Sequence, residues 1–524
     1  MPVLQKKKAD LFFWFLMFLS IILLFPSLGR PDLWIYDEVR NAQCAREMWE
    51  RNDWIVPTFN GYLRDLKPPL HYYFMFGGFE IFGATEWGAR FFSAIFGVFT
   101  IAITYIFTAR YSTKWHAFVS SAILLSSTHW LFEFRMSVPD PYLIFFNTLS
   151  IFTAFAYFTE KKIYWLLISA VSFGLGMLAK GPVALVLPAL ALLVWLIWQK
   201  KWKEIFHWHI LTAALTALVV AVPWYVLVHQ ATDGAWTRGF FLEHNVGRFS
   251  EPMEGHGGIF ILVPLFVLLG LLPASVFTGE SIKNFKERYS KSYLQLSLCV
   301  GVVFIFFYSI SGTKLPNYPM PCYSFVAIVL GYYISEAMIN KEKTKLYPFL
   351  ILLVINLALP IGLYFGLKNE IETKGYEAYA FIILILTIAA AVSTYIYKKR
   401  GFAKSIIVLF FFYLLFNLIF FNFLYPLIYS NNPLTKSIDK VKQYENVVAY
   451  KTFHPSFTYY LPERVRVFDN TDSLQLFLQT NNAAIITREK ILNEELLPLS
   501  LDTVAIHHDL FESSTTAIMT NKKN

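Results

Sequence analysis

Long apolar stretches separated by short polar breaks recur along this 524-residue chain from near its N-terminus to about residue 427. A helix needs about 20 residues to cross the hydrocarbon core of a bilayer, and most of the stretches approach that length. We predict membrane-spanning helices at residues 11–29, 87–109, 116–131, 141–159, 163–179, 182–199, 208–229, 258–279, 293–310, 320–336, 347–367, 376–397 and 403–426. The pattern therefore predicts a polytopic, all-α membrane bundle of about thirteen transmembrane helices.

The composition agrees with a membrane protein, because 56% of the residues are hydrophobic and only 15% are charged. A net charge of +9 would suggest a nucleic-acid partner in a soluble chain. Here Lys and Arg concentrate in alternate breaks, for example at 6–8, 200–203 and 398–404. Basic residues near span ends stay cytoplasmic, so topology explains the charge and nucleic acid is excluded. The N-terminus is predicted to be cytoplasmic and, with an odd number of spans, the C-terminus lies outside.

Two loops and the C-terminal tail stand outside the bilayer pattern, and all three fall on the outer side. The loops are residues 30–86, which contain a helical stretch, and residues 230–257. We therefore predict a transmembrane domain over residues 1–429 with loop helices on its outer face. Residues 430–524 are predicted to form a small soluble α/β domain. Its predicted strands are 447–453, 465–468, 483–487 and 503–507, with an amphipathic helix at 472–479.

The first outer loop contains two groups of residues that could carry chemistry. Asp37 and Glu38 begin its helical stretch, where capping and the helix dipole offer a purely structural explanation. Lys67 precedes Pro68 and Pro69, which hold the chain extended beside a cation. A lone lysine in this position could equally be a solvated anchor.

Further polar residues lie in the other outer turns, and helix capping or surface exposure could explain each one alone. They are Arg135, Asp140, Lys180, His244, Arg248, His256, Lys314 and Tyr318. Jointly they place carboxylates, cations and histidines at one membrane face. Such a set suits an anionic lipid head group that enters from the bilayer and a polar partner that arrives from water. The spans hold almost no ionisable residue at mid-membrane depth, which disfavours an ion-coupled transporter.

Taken in order, these motifs resemble the integral-membrane glycosyltransferases of the GT-C superfamily that use polyprenyl-phosphate sugars. Within that superfamily they resemble the bacterial lipid A aminoarabinose transferases and their protein O-mannosyltransferase relatives. The matching motifs are Asp37-Glu38-x-Arg40, Gly61-Tyr62, Lys67-Pro68-Pro69, Arg135 to Asp140-Pro141, Lys180-Gly181-Pro182, Glu243-His244-Asn245, Arg248-Phe249, His256 and Lys314-Leu315-Pro316 to Tyr318. The resemblance implies inverting transfer of a sugar from an undecaprenyl-type carrier to lipid A or another envelope acceptor.

The resemblance also implies roles for individual residues. Asp37 is the essential carboxylate and Asp140 a second acidic contributor, and Glu38 joins them as a catalytic candidate from the first motif. Arg40 and Lys67 hold the donor phosphate, and Tyr62 and Tyr318 lie near the head group. The remaining substrate-binding candidates are Arg135, Lys180, His244, Arg248 and Lys314. Paired cations suit this chemistry because negative charge develops on the departing phosphate.

Metal binding separates this sequence from the aminoarabinose enzymes that it resembles. Those enzymes tend to carry an acidic residue directly before the Lys-Pro pair, where it can join a histidine in holding a metal. Here Leu66 occupies that position and Asp65 precedes it. No cofactor is therefore assigned, and a divalent metal held by Asp65 and His256 is kept as an alternative.

Several alternatives remain open from the sequence. Asp37 would act as general base toward a hydroxyl acceptor, or would orient a lipid phosphate that is already nucleophilic. The acceptor could be the Ser or Thr of an exported protein instead of a glycolipid. A lipid or sugar transporter is the alternative from a different class. We expect a multi-pass protein of a bacterial inner membrane with its active site on the periplasmic face.

Overall fold

The computed structural model describes residues 10–247, 257–283, 289–340 and 344–522. Most of the described chain up to residue 441 is helical. The first eleven α-helices are α1 (Leu11–Leu24), α2 (Tyr36–Glu50), α3 (Leu70–Phe82), α4 (Glu86–Tyr111), α5 (Lys114–Ser126), α6 (Thr128–Glu133), α7 (Asp140–Glu160), α8 (Ile163–Lys180), α9 (Val183–Trp198), α10 (Trp208–Ala231) and α11 (Ala235–Arg238).

The later helices include the second half of the bundle and the helices of the C-terminal region. They are α12 (Leu262–Gly270), α13 (Thr278–Ile282), α14 (Ser292–Ile310), α15 (Tyr323–Ile339), α16 (Tyr347–Asn369), α17 (Leu384–Arg400), α18 (Phe402–Ile419), α19 (Tyr425–Tyr429), α20 (Pro433–Val441), α21 (Ser456–Tyr460), α22 (Thr471–Thr480) and α23 (Glu489–Ile491).

Among the described residues, nine helices are long and apolar enough to cross a membrane. A tenth would be the pair Leu262–Gly270 and Ala274–Ile282, which is bent by 114°. Pro273 lies at this break, and proline cannot continue an α-helix because it lacks the backbone N–H and clashes with the preceding turn. The protein is therefore a multi-pass membrane protein, and the helix predicted at residues 258–279 is bent at Pro273.

The three remaining predicted spans correspond to helices α1, α5 and α9, which have 14, 13 and 16 residues. Each is shorter than the length of about 20 residues that crosses a bilayer without local thinning or flanking structure. All thirteen apolar stretches thus form helices, whereas the number that span the membrane stays a prediction.

Small residues let the central helices approach closely. In α7, 89% of the most apolar 18-residue stretch is buried inside the protein. This helix packs against α4 and α8. Gly174 in α8 faces α10 so tightly that an added Cβ would lie 2.6 Å from the Cβ of Val220 and 2.8 Å from the carbonyl oxygen of Ala217. Close approach of backbones at glycine is a common packing mode between membrane helices.

A five-stranded sheet forms most of the C-terminal region. Its strands lie in the order Arg466–Phe468, Asn446–Tyr450, Ala483–Arg488, Thr515–Thr520, Asp502–His508. The first three strands are parallel neighbours, and the last two join antiparallel. Four of these strands coincide with runs that the sequence predicts, and Thr515–Thr520 is an additional strand. Apolar clusters cover both faces of the sheet.

The C-terminal region packs on the first outer loop and on α2. The ring of Trp34 stacks on His454 at a centroid distance of 3.6 Å, and Trp34 belongs to the apolar cluster of one sheet face. Arg46 of α2 donates hydrogen bonds to the carbonyl oxygens of Tyr459 and Leu461. These contacts fix α2, which carries Asp37 at its second position, against the sheet region.

Candidate active site

A cavity of about 540 Å³ lies where the ends of α8 and α14 meet the start of α9 and the segment 239–247. Much of its wall is apolar, formed by Leu66, Pro182, Val183, Val186, Leu187, Phe240, Phe241, Leu242 and Phe307. Two of these side chains, Val186 and Leu242, are more than half exposed. The wall therefore offers apolar surface to a lipid chain.

Polar side chains also line this cavity, among them Lys67, Lys180, His244 and Tyr318. The Nζ atom of Lys180 lies 2.5 Å from Oδ1 of Asp140 and 4.9 Å from the centroid of the Tyr318 ring. Asp140 begins α7 and Lys180 ends α8. Since these helices are consecutive and packed together, their ends meet, and each charge also suits the dipole of its own helix terminus.

Asp37 is exposed at the start of α2 and belongs to the same electrostatic cluster. It interacts electrostatically with Arg64, His71 and Glu133. His71 also interacts electrostatically with Lys67, and Glu133 interacts electrostatically with Asp140 and Lys180. The structure thus links the three residues that the sequence analysis considered central, Asp37, Lys67 and Asp140, through shared neighbours.

Three residues of this cluster were not among the sequence-predicted candidates: Arg64, His71 and Glu133. Arg64 is buried and donates a hydrogen bond to Oδ1 of Asn41 at 3.2 Å. His71 is fully buried, and burial, with the nearby positive charges of Lys67 and Arg64, holds its pKa well below the usual value. Glu133 ends the short apolar helix α6. In the sequence, Glu133 is distinguished only as a carboxylate within the apolar run from His129 to Phe134.

Glu38 does not line the cavity, although the sequence analysis placed it among the catalytic candidates. Its two carboxylate oxygens accept hydrogen bonds from Nε and Nη2 of Arg90 at 2.7 and 2.8 Å, and Oε1 also accepts the backbone N–H of Ser137 at 3.0 Å. The side chain is 1% exposed. The geometry gives Glu38 a packing role, because a carboxylate with both oxygens bound and no exposure cannot reach a substrate in the cavity.

Three predicted substrate-binding residues also lie away from the cavity lining. Arg135 donates to the carbonyl oxygens of Leu23, Leu24 and Pro26, and so binds the C-terminal end of α1. Arg40 lies over the ring of Tyr36 at 5.1 Å and interacts electrostatically with His454 and Glu512 of the C-terminal region. Tyr62 is 72% exposed in the short hairpin formed by Thr58–Phe59 and Tyr62–Leu63.

The remaining candidates include those considered for a metal. Asp65 lies 3.5 Å from Nε2 of His244, and Lys314 donates to the carbonyl oxygen of Ser311 at the cavity edge. Arg248 and His256 fall outside the described residues. Within the part of the chain that the structure describes, no group of three or more His, Cys, Asp or Glu side chains is arranged to hold a metal. The Asp65–His256 metal site stays a prediction.

Comparison with known proteins identifies the family. Residues 11–237 match the family described as dolichyl-phosphate-mannose-protein mannosyltransferase. An uncharacterized protein of Aquifex aeolicus is 31% identical to this chain over 66% of its length and 68% of the relative. The chain belongs to the GT-C superfamily.

Other GT-C relatives agree in fold and sequence. An undecaprenyl phosphate-alpha-4-amino-4-deoxy-L-arabinose arabinosyl transferase of Shewanella sediminis is 29% identical over 65% of this chain. The match spans 62% of that relative, less than two thirds of its length. The crystal structure of ArnT from Cupriavidus metallidurans, bound to undecaprenyl phosphate, superposes with a TM-score of 0.82 over 98% of both chains at 18% identity. This likeness shows that the GT-C fold extends through the C-terminal region.

The packing role of Glu38 predicts a large loss of stability on its removal. Glu38→Ala leaves the buried Arg90 unpaired, and removing one partner of a buried ion pair costs about 3–5 kcal/mol. Thermal unfolding of the detergent-solubilised protein measures this loss. Glu50→Ala is the matched control, because Glu50 lies on the same helix in an exposed ion pair with Arg46, worth only about 0.5 kcal/mol. Equal unfolding temperatures for the two variants would show that Glu38 has no packing role.

Proposed function

We propose that the protein is an inverting glycosyltransferase that moves a sugar from a polyprenyl phosphate carrier, of the undecaprenyl type, to lipid A or another envelope acceptor. The observation that carries this proposal is the cavity, whose lining combines an apolar wall with the cations Lys67 and Lys180. A lipid-linked phosphate has the same two parts. The names of the relatives support it, since several are arabinosyl transferases that use an undecaprenyl phosphate sugar.

Lys67 and Lys180 supply the charge that this reaction requires. Cleavage of the bond between the sugar and the phosphate leaves a polyprenyl phosphate monoester, which carries one more negative charge than the donor. Both lysines line the cavity, and a preorganised cation aimed at developing charge lowers the barrier more than one that must be recruited from water. His244 adds a third nitrogen group to the same wall.

Asp37 is the residue that we assign to the acceptor. It is exposed, whereas Asp140 is buried and bound to Lys180. An exposed carboxylate can accept a proton from an acceptor hydroxyl, or orient an acceptor phosphate through its neighbouring cation Arg64. Inversion follows when the acceptor attacks the anomeric carbon from the side opposite the leaving phosphate.

We place the reaction at the periplasmic face of a bacterial inner membrane. In this arrangement the thirteen apolar helices span or enter the bilayer, the N-terminus is cytoplasmic, and residues 430–524 form a periplasmic domain. The charge asymmetry of the loops supports it. The five-stranded sheet supports a water-exposed location for the C-terminal region, because an open sheet edge is not stable against lipid.

A protein acceptor is the second candidate, and the family match favours it specifically, since the matched family is described as protein mannosyltransferases. The acceptor would then be a Ser or Thr hydroxyl, and Asp37 would serve as general base. Mass spectrometry of cells with and without the protein distinguishes the two. Sugar on envelope lipids supports the main proposal, and sugar on exported proteins supports the second.

The assignment of Asp37 predicts that Asp37→Asn loses transfer by at least about 100-fold, because the amide can neither accept the proton nor carry the charge. Transfer is measured with purified enzyme, undecaprenyl-phosphate-linked sugar and lipid A. Asp502→Asn, an exposed aspartate in the C-terminal sheet, is the control and keeps wild-type transfer. Retained activity in Asp37→Asn with an unchanged unfolding temperature would overturn the role of this residue.

The assignment of Lys67 predicts weaker binding of the carrier. Lys67→Ala removes a charge-assisted hydrogen bond worth about 1.5–3 kcal/mol, so the dissociation constant for undecaprenyl phosphate rises by roughly 10- to 100-fold. Titration of the lipid into detergent-solubilised protein measures the change. Lys368→Ala, near the exposed C-terminal end of α16, should bind as the wild type does. Equal affinities of both variants would remove Lys67 from the phosphate site.

The topology predicts opposite labelling of two introduced cysteines. Ser500→Cys should react with a membrane-impermeant maleimide in cells whose outer membrane alone is permeabilised, whereas Lys203→Cys should react only after the inner membrane is disrupted. Both positions are exposed. The natural residues Cys44, Cys299 and Cys322 are buried and give little background. The reverse labelling pattern would place the active site on the cytoplasmic face.

A further inference from the structure

Glu133 interacts electrostatically with two further carboxylates, Asp37 and Asp140, and with Lys180, which lines the cavity. Lys180 lies 2.5 Å from Asp140. Asp140 is 4% exposed and Glu133 is 6% exposed. One ammonium can neutralise one buried carboxylate, so an ionised Glu133 would leave an uncompensated buried negative charge next to the proposed phosphate site.

Titratable groups on four other helices interact electrostatically with Glu133. Asp37 lies on α2, Asp140 on α7, Lys180 on α8 and Tyr323 on α15. The side-chain amide of Asn317 lies 3.5 Å from Oε1 of Glu133, at the limit of a hydrogen bond. Lys180 is the one cation among these neighbours, and its nearest carboxylate oxygen belongs to Asp140. The surroundings of Glu133 therefore favour its neutral form.

We propose that Glu133 holds a proton in the form of the enzyme that binds the carrier, and that this neutral carboxyl is a positioning residue for Lys180. It keeps the Lys180–Asp140 pair free of a competing negative charge, so that Lys180 can also face the phosphate in the cavity. The proposal rests on the proposed function, because it takes the lipid phosphate as the ligand of Lys180.

A dependence on pH follows from this arrangement. Burial, followed by the negative charge of Asp140, raises the pKa of Glu133 to about 8. The proton is therefore present at neutral pH and is lost as the pH rises through the raised pKa. Ionised Glu133 then repels the phosphate and competes for Lys180. Affinity for the carrier is full below this pKa and falls above it. A carboxylate whose ionised form is needed for binding would give the opposite result, with affinity that rises as the pH rises.

The window between about pH 7 and about pH 9 spans the raised pKa of Glu133. A phosphate monoester has its second pKa near 6, so the charge of the probe changes little above pH 7. Unperturbed lysine titrates near 10.4. Undecaprenyl phosphate, with no sugar attached, is the probe, and its dissociation constant is measured at both ends of this window.

For the wild type we expect affinity for undecaprenyl phosphate to fall by about tenfold across this window, the size of effect that a new like charge close to a buried ion pair produces. Glu133→Gln keeps a neutral side chain of the same shape and should abolish the fall. Glu86→Gln, a carboxylate bonded to Tyr460 outside the cavity, should retain it. An equal fall in the wild type and in Glu133→Gln would overturn the proposal.

A second measurement reads the proton directly and needs no ligand. Infrared spectra of the reconstituted protein at neutral pH should contain a protonated carboxylic acid band that is absent from Glu133→Gln and disappears from the wild type as the pH rises. No difference between wild type and Glu133→Gln in this band would refute the protonated Glu133. A wild-type protein that shows the band but binds no undecaprenyl phosphate would instead contradict the proposed function and leave the protonation state of Glu133 established.

Discussion

The ion pair between Lys180 and Asp140 is the interaction on which the candidate site depends. A charge buried at the edge of a membrane bundle is tolerated only when a partner lies within hydrogen-bond distance. The pair meets this condition by joining the end of α8 to the start of α7. Because the same ammonium lies over the Tyr318 ring, three separate parts of the chain are held at one end of the cavity by a single cation.

The cavity needs a second support, because Asp37 lies on a helix outside the bundle of long apolar helices. That support comes from two directions. The buried Glu38–Arg90 pair joins the start of α2 to α4, and Arg46 binds two carbonyl groups at the C-terminal end of α21. Glu38 and Asp37 are neighbours in sequence but point into different surroundings. The buried Glu38 fixes the helix, and Asp37 is left exposed.

The apolar pattern was sufficient to predict the helices, since each of the thirteen stretches forms one, but it could not show that the stretch around Pro273 bends by 114°. The motifs located Lys67, Lys180, His244 and Tyr318, which line one cavity. They could not separate Asp37 from Glu38, because adjacent residues on a helix face differ by about 100° in direction and only tertiary packing decides which one is buried. The sequence does not single out Glu133 either, because a single carboxylate in an apolar run has no partner visible in the sequence.

The different exposure of the carboxylates gives a physical reason for dividing the chemistry among them. Asp140 is buried and bound to Lys180, so its charge serves to hold a cation in place. Asp37 is exposed, so its carboxylate can exchange a proton with an acceptor and then with water. If both carboxylates were exposed, Lys180 would be a mobile surface charge, screened by solvent and weakly attractive to a phosphate. If both were buried, the proton taken from an acceptor would have no path to water. A site that binds an anion and accepts a proton in the same turnover therefore needs one carboxylate of each kind, and the described residues provide both.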